Sequence, residues 1–95
     1  MTKYVIILDR GSRDQREAVQ AIVKQHANEI WWHWFADTWL VEGYTAGFWR
    51  DAIRPVITPG SASVLVIELG EDWAYYGPKA AERMKWLHQR VKRYG

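Results

Sequence analysis

The sequence contains no cysteine, only three prolines and no long hydrophobic run. Without cysteine, the chain cannot form a disulfide framework, a thiolate zinc site or a cysteine nucleophile. No apolar stretch approaches the roughly 20 residues that a membrane-spanning helix requires. The N-terminal segment also lacks the long apolar region and the cleavage site of a secretory signal peptide. We therefore expect a soluble, cytoplasmic protein without a membrane partner.

Large aromatic side chains, by contrast, are abundant. Seven tryptophans, five tyrosines and two phenylalanines make up 15% of the 95 residues. A chain of this length is typical of one domain, and it buries only about 60–65% of its extended-chain surface. Large rings are an effective way to fill so small a core. We predict a single domain over residues 1–95.

The net charge of +2 is unevenly distributed. Residues 79–95 carry six lysines and arginines against one acidic residue, Glu82, whereas the rest of the chain is mildly acidic. A basic tail of this kind favours a nucleic-acid partner, RNA or DNA. The same cations also suit the C-terminal end of a solvated helix, where they interact favourably with the helix dipole.

Hydrophobic periodicity predicts four strands. Residues 4–9 (YVIILD) and 63–69 (SVLVIEL) are continuous apolar runs, typical of strands that are buried on both faces. Residues 29–43 alternate with a period of two and turn at Asp37-Thr38, which predicts an antiparallel hairpin. In that alternation, residues 31, 33 and 35 share one face, and residues 30, 32, 34 and 36 share the other.

Capping residues and proline mark two helices between these strands. Ser12 and Gln15 have the spacing of a capping box at the start of the first helix. Thr45 is placed to cap the second helix. We expect this helix to end near Arg54, because the residue before Pro55 is pushed out of helical geometry.

The resulting order, β-α-β-β-α-β, is that of the ferredoxin-like α+β sandwich. The predicted core covers about residues 3–69, and the extension 70–95 adds a short fifth strand at 73–76 and a C-terminal helix. Two helices cover one sheet face, yet the strands are apolar on both, so the terminal helix or a second subunit must cover the other. We therefore expect a homodimer that buries at least ~1,000 Å² in total. Its expected contacts are Trp34, Trp39, Trp73 and Tyr75.

Three sequence blocks resemble a known family. Residues 31–34 (WWHW), 38–41 (TWLV) and 70–77 (GEDWAYYG) resemble the SinR-like small proteins, which are relatives of the second CRISPR-associated protein and of VapD-type ribonucleases. The strand at residues 4–9, with Asp9 at its end, also matches the first strand of that superfamily. The resemblance implies a ferredoxin-like fold and a homodimer. This chain departs from the pattern at Arg10, where the relatives usually carry an apolar or small polar residue.

Asp9 is the candidate catalytic residue. In the nucleases of the resembling superfamily, the matching aspartate is assigned to metal binding. Mg²⁺ or Mn²⁺ often takes one or two carboxylates together with water and phosphate oxygens. Glu68 is either a second carboxylate beside Asp9 or, as we expect, a surface glutamate. Alternatively, Asp9 pairs with Arg10 or Arg13, or caps the following turn.

The remaining candidates are residues for binding a ligand. Arg10, Arg13 and Arg16 lie with Ser12 around the start of the first helix, where guanidinium groups and backbone amides suit a phosphate. His33 is a candidate general base or, alternatively, a buried or interface histidine that makes one hydrogen bond. The tryptophans of the hairpin either stack on bases or build the core and the dimer contact.

Three functions agree with this pattern. The first is a non-catalytic homodimer, without a cofactor, that binds nucleic acid or a nucleotide. The second is a metal-dependent endonuclease that uses Asp9, and the third is an adaptor that binds another protein through the apolar sheet face. No phosphate-binding glycine loop, dinucleotide fingerprint or zinc-protease motif occurs in the sequence. Whether the protein is an enzyme is left open by these residues.

Overall fold

The computed structural model describes residues 2–27, 31–58, 60–70, 72, 74, 76–77, 79 and 82, with the backbone alone at residues 32 and 34. It has an α+β architecture with an antiparallel sheet and two helices. The predicted fifth strand and C-terminal helix, together with Trp73 and Tyr75, lie outside the described residues. The elements are β1 Lys3–Asp9, α1 Arg13–Ala27, β2 Trp31–Phe35, β3 Thr38–Glu42, α2 Ala46–Ile57 and β4 Ser63–Leu69.

The sheet has the strand order β2-β3-β1-β4, and every neighbouring pair is antiparallel. β1 lies at the centre, where Ile6 pairs with Trp39 of β3 on one side and with Val66 of β4 on the other. The two apolar runs and the hairpin are therefore confirmed as strands. The hairpin turns at residues 36–37, one residue earlier than predicted, because Thr38 already pairs with Ile7 and Phe35.

Both helices pack on one face of the sheet. Alternate residues of β1 point into the core, because successive side chains of a strand lie on opposite faces. Val19 and Val23 of α1 meet them from one side. The fully or almost fully buried core side chains are Tyr4, Ile6, Leu8, Val19, Val23, Ala27, Trp39, Val41, Trp49, Ile53 and Ile57.

On the sheet face opposite the helices, side chains of β3 and of the start of β1 are buried, whereas side chains of β4 are exposed. Leu40 is buried there, and beside it Lys3 Nζ lies 2.5 Å from a carboxylate oxygen of Glu42, with both side chains almost fully buried. On β4, however, Leu65 is 55% exposed and Ile67 is 47% exposed. Within the described chain, β4 is therefore buried on one face only, because the helices cover the face that carries Val64 and Val66; the covering of its other face by the terminal helix or a second subunit stays a prediction.

A β-bulge interrupts the hairpin. Trp32 pairs with Leu40, whereas Phe35 pairs with Thr38, so β2 carries one extra residue between these pairs. The bulge breaks the predicted strict alternation of the two faces. The His33 ring stacks on Trp39, the residue that faces it in the register set by Trp31 and Trp32, with the ring centroids 4.5 Å apart and the planes 11° from parallel.

Trp39 is not available as a dimer contact. Its side chain is completely buried within a single protomer, in the core cluster beneath the helices. The prediction of a dimer contact at this tryptophan is wrong, because the pairing with Ile6 directs it to the helix-covered face. The side chain of Trp34 lies outside the described part of the structure.

Local capping signals set the start of both helices. At α1, Gln15 N donates to Ser12 Oγ at 3.1 Å and Ser12 N donates to Gln15 Oε1 at 2.9 Å, which confirms the capping box. At α2, Phe48 N donates to Thr45 Oγ1 at 3.1 Å. Each contact satisfies an amide group that has no partner within the helix.

The end of α2 differs from the prediction. The helix continues through Pro55 to Ile57 rather than ending near Arg54. Pro55 has no amide hydrogen to donate within the helix, and its ring disfavours helical geometry in the residue before it. Ile57 is nonetheless buried in the core and Val56 packs against it, so this burial outweighs the cost of the proline.

Candidate functional site

A cleft of about 250 Å³ lies between α1 and the hairpin. Four polar or charged residues of α1 line it, at spacings of three, four and seven residues, which place them on one face of the helix. His33 and Ala36 form the side contributed by β2 and its turn. The lining residues are Arg13, Arg16, Glu17, Gln20, His33 and Ala36.

Arg16 connects the two walls of the cleft. Its Nη1 donates to the carbonyl oxygen of Gly11 at 2.9 Å, in the loop that precedes α1. Its Nε lies 3.8 Å from a carboxylate oxygen of Asp37 in the hairpin turn. Both side chains of this ion pair are partly exposed. Arg16 is thus held at the mouth of the cleft with its charge accessible to solvent.

Arg13 is less constrained. Its Nε donates to Glu17 Oε1 at 3.2 Å, one helical turn along α1, and both side chains are largely exposed. An exposed ion pair of this kind contributes about 0–1 kcal/mol. An anion that enters the cleft can therefore compete with Glu17 for the Arg13 guanidinium group.

His33 has a defined orientation in the cleft. Its Nε2 lies 2.9 Å from the carbonyl oxygen of Ala36. Because a carbonyl can only accept, Nε2 carries the hydrogen and donates it. This agrees with the alternative of a histidine that makes one hydrogen bond, and it positions the ring between Trp39 and the cleft.

The indole of Trp39 contributes an unpaired donor beneath His33. Trp39 Nε1 is buried and has no hydrogen-bond partner within the described structure. A buried donor without a partner costs about 1–3 kcal/mol. The unpaired Nε1 belongs to the ring on which His33, a lining residue of the cleft, is stacked.

Asp9 lies apart from the cleft. It ends β1 opposite Ser63, its side chain is 71% exposed, and the nearest cationic atom is Arg10 Nε at 4.0 Å. Glu68 pairs instead with Tyr4, five residues along the strand and so about 16 Å away. The alternative of a second carboxylate beside Asp9 is therefore wrong, and Glu68 is an exposed surface residue, as expected.

The donor set at Asp9 does not fit a metal ion in this protomer. Among the described residues, no cluster of three or more histidine, aspartate and glutamate side chains is placed to hold one. A single exposed carboxylate next to an arginine offers a cation few ligands and a repulsive neighbour. We derive no chemical step through a metal at this position.

Three of the sequence-predicted residues, Arg13, Arg16 and His33, are brought together, and Ser12 is used as the helix cap beside them. Sequence reasoning missed Glu17 and Gln20, although their spacing from Arg13 is that of one helix face. Comparison of the chain with protein-family models, curated proteins and solved structures gave no match. No helix in the described ranges is long and apolar enough to cross a membrane.

Proposed function

We propose that the protein is a non-catalytic, homodimeric module that binds nucleic acid or a nucleotide through the cleft between α1 and the hairpin. The observation that carries this proposal is the convergence of two arginines and a histidine from separate parts of the chain. Guanidinium groups match phosphate oxygens in geometry and charge. Gln20 adds an amide that can both donate and accept hydrogen bonds toward a sugar or a base.

We further propose that the domain is ferredoxin-like and related to the SinR-like proteins. The order of the elements along the chain and the strand order β2-β3-β1-β4 support the fold. The tryptophan-containing blocks at residues 31–34 and 38–41 support the relationship. The short fifth strand and the C-terminal helix are part of the same proposal.

Salt dependence of binding tests the cleft directly. Phosphate contacts release counterions, so the logarithm of affinity falls linearly with the logarithm of salt concentration. For a single-stranded oligonucleotide, the double variant Arg13→Gln/Arg16→Gln should bind more weakly. Its salt slope should be smaller by about 1.4, which corresponds to two lost phosphate contacts.

The matched control is Arg50→Gln/Arg54→Gln, which removes the same charge from the exposed side of α2. We expect this control to retain most of the affinity and nearly the whole salt slope. Equal losses in both variants would indicate attraction to net charge rather than a site in the cleft. Cleavage of the oligonucleotide with Mg²⁺ or Mn²⁺ that disappears in Asp9→Asn would replace the proposal by the nuclease alternative.

The exposed apolar side of β4 favours a second candidate, an adaptor that binds another protein. Leu65 and Ile67 leave about half of their surface open on the face opposite the helices. Exposed apolar patches of this kind mark interaction sites. If the wild-type protein is monomeric and binds no oligonucleotide, the adaptor function becomes the better interpretation of this face.

A further inference from the structure

Tyr44 occupies an unusual position between β3 and α2. Its backbone φ is 64°, in the left-handed region that tyrosine rarely adopts, and it follows Gly43 with a φ of 96°. The side chain is nevertheless 52% exposed. Because its ring is half open to solvent, Tyr44 contributes little to the core that would offset the disfavoured backbone conformation. Such outliers often mark functional positions.

Surrounding contacts hold this conformation in place. Gly43 N donates to the carbonyl oxygen of Thr2 at 2.8 Å, and the Gly43 carbonyl accepts from Trp49 Nε1 at 3.0 Å. Immediately after Tyr44, Thr45 caps α2. The backbone on both sides of Tyr44 is thus held, by the hydrogen bonds of Gly43 before it and by the Thr45 helix cap after it.

The Tyr44 ring is supported on one side only. It stacks on Phe48 with the centroids 4.0 Å apart and the planes 11° from parallel. The planes of His26 and Trp49 are nearly perpendicular to this pair, and their ring centroids lie 5.9 Å and 5.6 Å from that of Tyr44. Because Phe48 covers one face of the ring, the exposed half includes the opposite face.

The electrostatic surroundings suit an anionic ligand with an aromatic part. The first turn of α2 contains no acidic residue, so the positive end of its dipole is not neutralised. In the adjoining last turn of α1, His26 contacts Tyr44, whereas the Lys24 ammonium lies 6.0 Å from the centre of the Trp31 ring on the hairpin side. The nearest carboxylate in sequence, Glu42, is buried against Lys3.

We propose that Tyr44 stacks on one base of a bound single-stranded nucleic acid. This inference rests on the proposed function and narrows its ligand to single strands, since only an unpaired base offers a free face for stacking. His26, which contacts Tyr44, lies thirteen residues after Arg13 on α1, about 20 Å along the helix and about 140° around it, so a strand that reaches both must cross over α1. A strand of about eight nucleotides, roughly 27 Å long even when stacked, can reach both the cleft and Tyr44.

The experiment compares two probes of equal charge, an oligouridylate of about eight nucleotides and the same backbone with abasic sites. Tyr44→Gly removes the ring while accepting the positive φ, so the fold is retained. We expect about tenfold weaker binding of the oligouridylate and unchanged binding of the abasic strand. Tyr44→Trp should retain the affinity, because it keeps a planar ring.

Tyr76→Ala is the matched control, because it removes a tyrosine that is 99% exposed. It should leave both affinities unchanged. A strand that carries 2-aminopurine should show quenching with the wild type and Tyr44→Trp, and much less with Tyr44→Gly. Circular dichroism of each variant verifies the fold.

The outcomes separate this inference from the proposed function. If the wild type binds neither probe, the proposed function fails. If Tyr44→Gly binds the oligouridylate as tightly as the wild type does, the stacking inference is overturned and the cleft proposal stands. The inference would also be overturned if Tyr44→Gly no longer bound the abasic strand. It would be overturned as well if a blunt duplex bound as tightly as the single strand and this binding required Tyr44.

Discussion

Lys3 and Glu42 place opposite charges next to each other in the sheet, where both side chains are almost fully buried. Removing two charges from water costs several kcal/mol per ion, and only a well-matched pair offsets this cost. The contact joins the first residue of β1 to the last residue of β3. It therefore contributes to the pairing of strands that are far apart in the sequence.

We predict that Glu42→Gln lowers the free energy of unfolding by about 3–5 kcal/mol, because it removes the negative charge that faces the buried Lys3 ammonium. The double variant Lys3→Met/Glu42→Leu should stay close to the wild type, since both charges are removed together. Urea unfolding monitored by tryptophan fluorescence measures both. A double variant as unstable as Glu42→Gln would contradict this account.

Gly11 shows how closely the backbone approaches the core. A Cβ at this position would lie 2.8 Å from Leu8 Cγ and closer still to Leu8 Cδ2, and Leu8 is almost completely buried. We predict that Gly11→Ala lowers the free energy of unfolding by about 1–3 kcal/mol through overpacking.

Gly47→Ala is the comparison for Gly11→Ala. Gly47 lies in α2, and the nearest atom to its added Cβ is the flexible end of Arg50, at 3.8 Å. There, alanine should raise the free energy of unfolding by about 0.5–1 kcal/mol, because glycine is unfavourable within a helix. Denaturant unfolding that gives the same sign for both variants would contradict the packing argument.

The last turn of α2 shows a competition between backbone preference and burial. Pro55 is exposed, but it removes an amide hydrogen within the helix that carries Ile53 and Ile57 into the core. Nearby, the hydrogen bond from the Arg50 guanidinium lowers the pKa of the Asp51 carboxyl below its ordinary value.

We predict that Pro55→Ala raises the free energy of unfolding by about 1–3 kcal/mol, because it restores an amide hydrogen to the helix interior. Arg54→Ala, at the neighbouring exposed position, should have little effect. Thermal unfolding followed by circular dichroism measures both changes. A destabilised Pro55→Ala variant would show that the proline is required where the chain leaves α2.

For the molecule as a whole, the exposed face of β4 is the main feature that a single protomer leaves unexplained. Leu65 and Ile67 lie on a strand that is at the edge of the described sheet. Exposed apolar side chains on an edge strand promote association with another chain. This face lies apart from the cleft, so the proposed assembly and the proposed ligand binding would use separate surfaces.

We predict that the protein forms a homodimer through this face and that Leu65→Glu/Ile67→Glu converts it to a monomer. The introduced carboxylates would have to be buried without partners in the interface. Gln25→Glu/Thr58→Glu adds the same charge at exposed positions elsewhere and should leave the dimer intact. Sedimentation at micromolar concentration distinguishes the species. A monomeric wild type would refute the prediction.

Much of the local structure was predictable, because its causes lie within a few residues. The capping box at Ser12 and the Thr45 cap depend on contacts over three residues. The apolar stripe of α1, with Val19 and Val23 buried, follows from helical periodicity. The four strands of the sheet follow from runs and alternation that are visible in the sequence.

The candidate site was only partly predictable. The arginines at the start of α1 were identified from their spacing and their position at a helix terminus. The cleft, however, needs His33 and Ala36 of the hairpin against the same helix face, and this depends on how α1 packs on the sheet. The separation of Glu68 from Asp9 likewise follows from the register of β1 with β4.

Short-range hydrogen bonding and periodic burial are encoded residue by residue, so the sequence alone determined where the helices begin and which strands exist. Tertiary packing decided the rest. The burial of Ile57 carries α2 past Pro55, and the bulge in β2 accompanies the stacking of His33 on the buried Trp39. The helices cover only one face of β4, which leaves Leu65 on its other face exposed. Each of these depends on contacts between residues distant in the chain, and their free energies exceed the local preferences that oppose them.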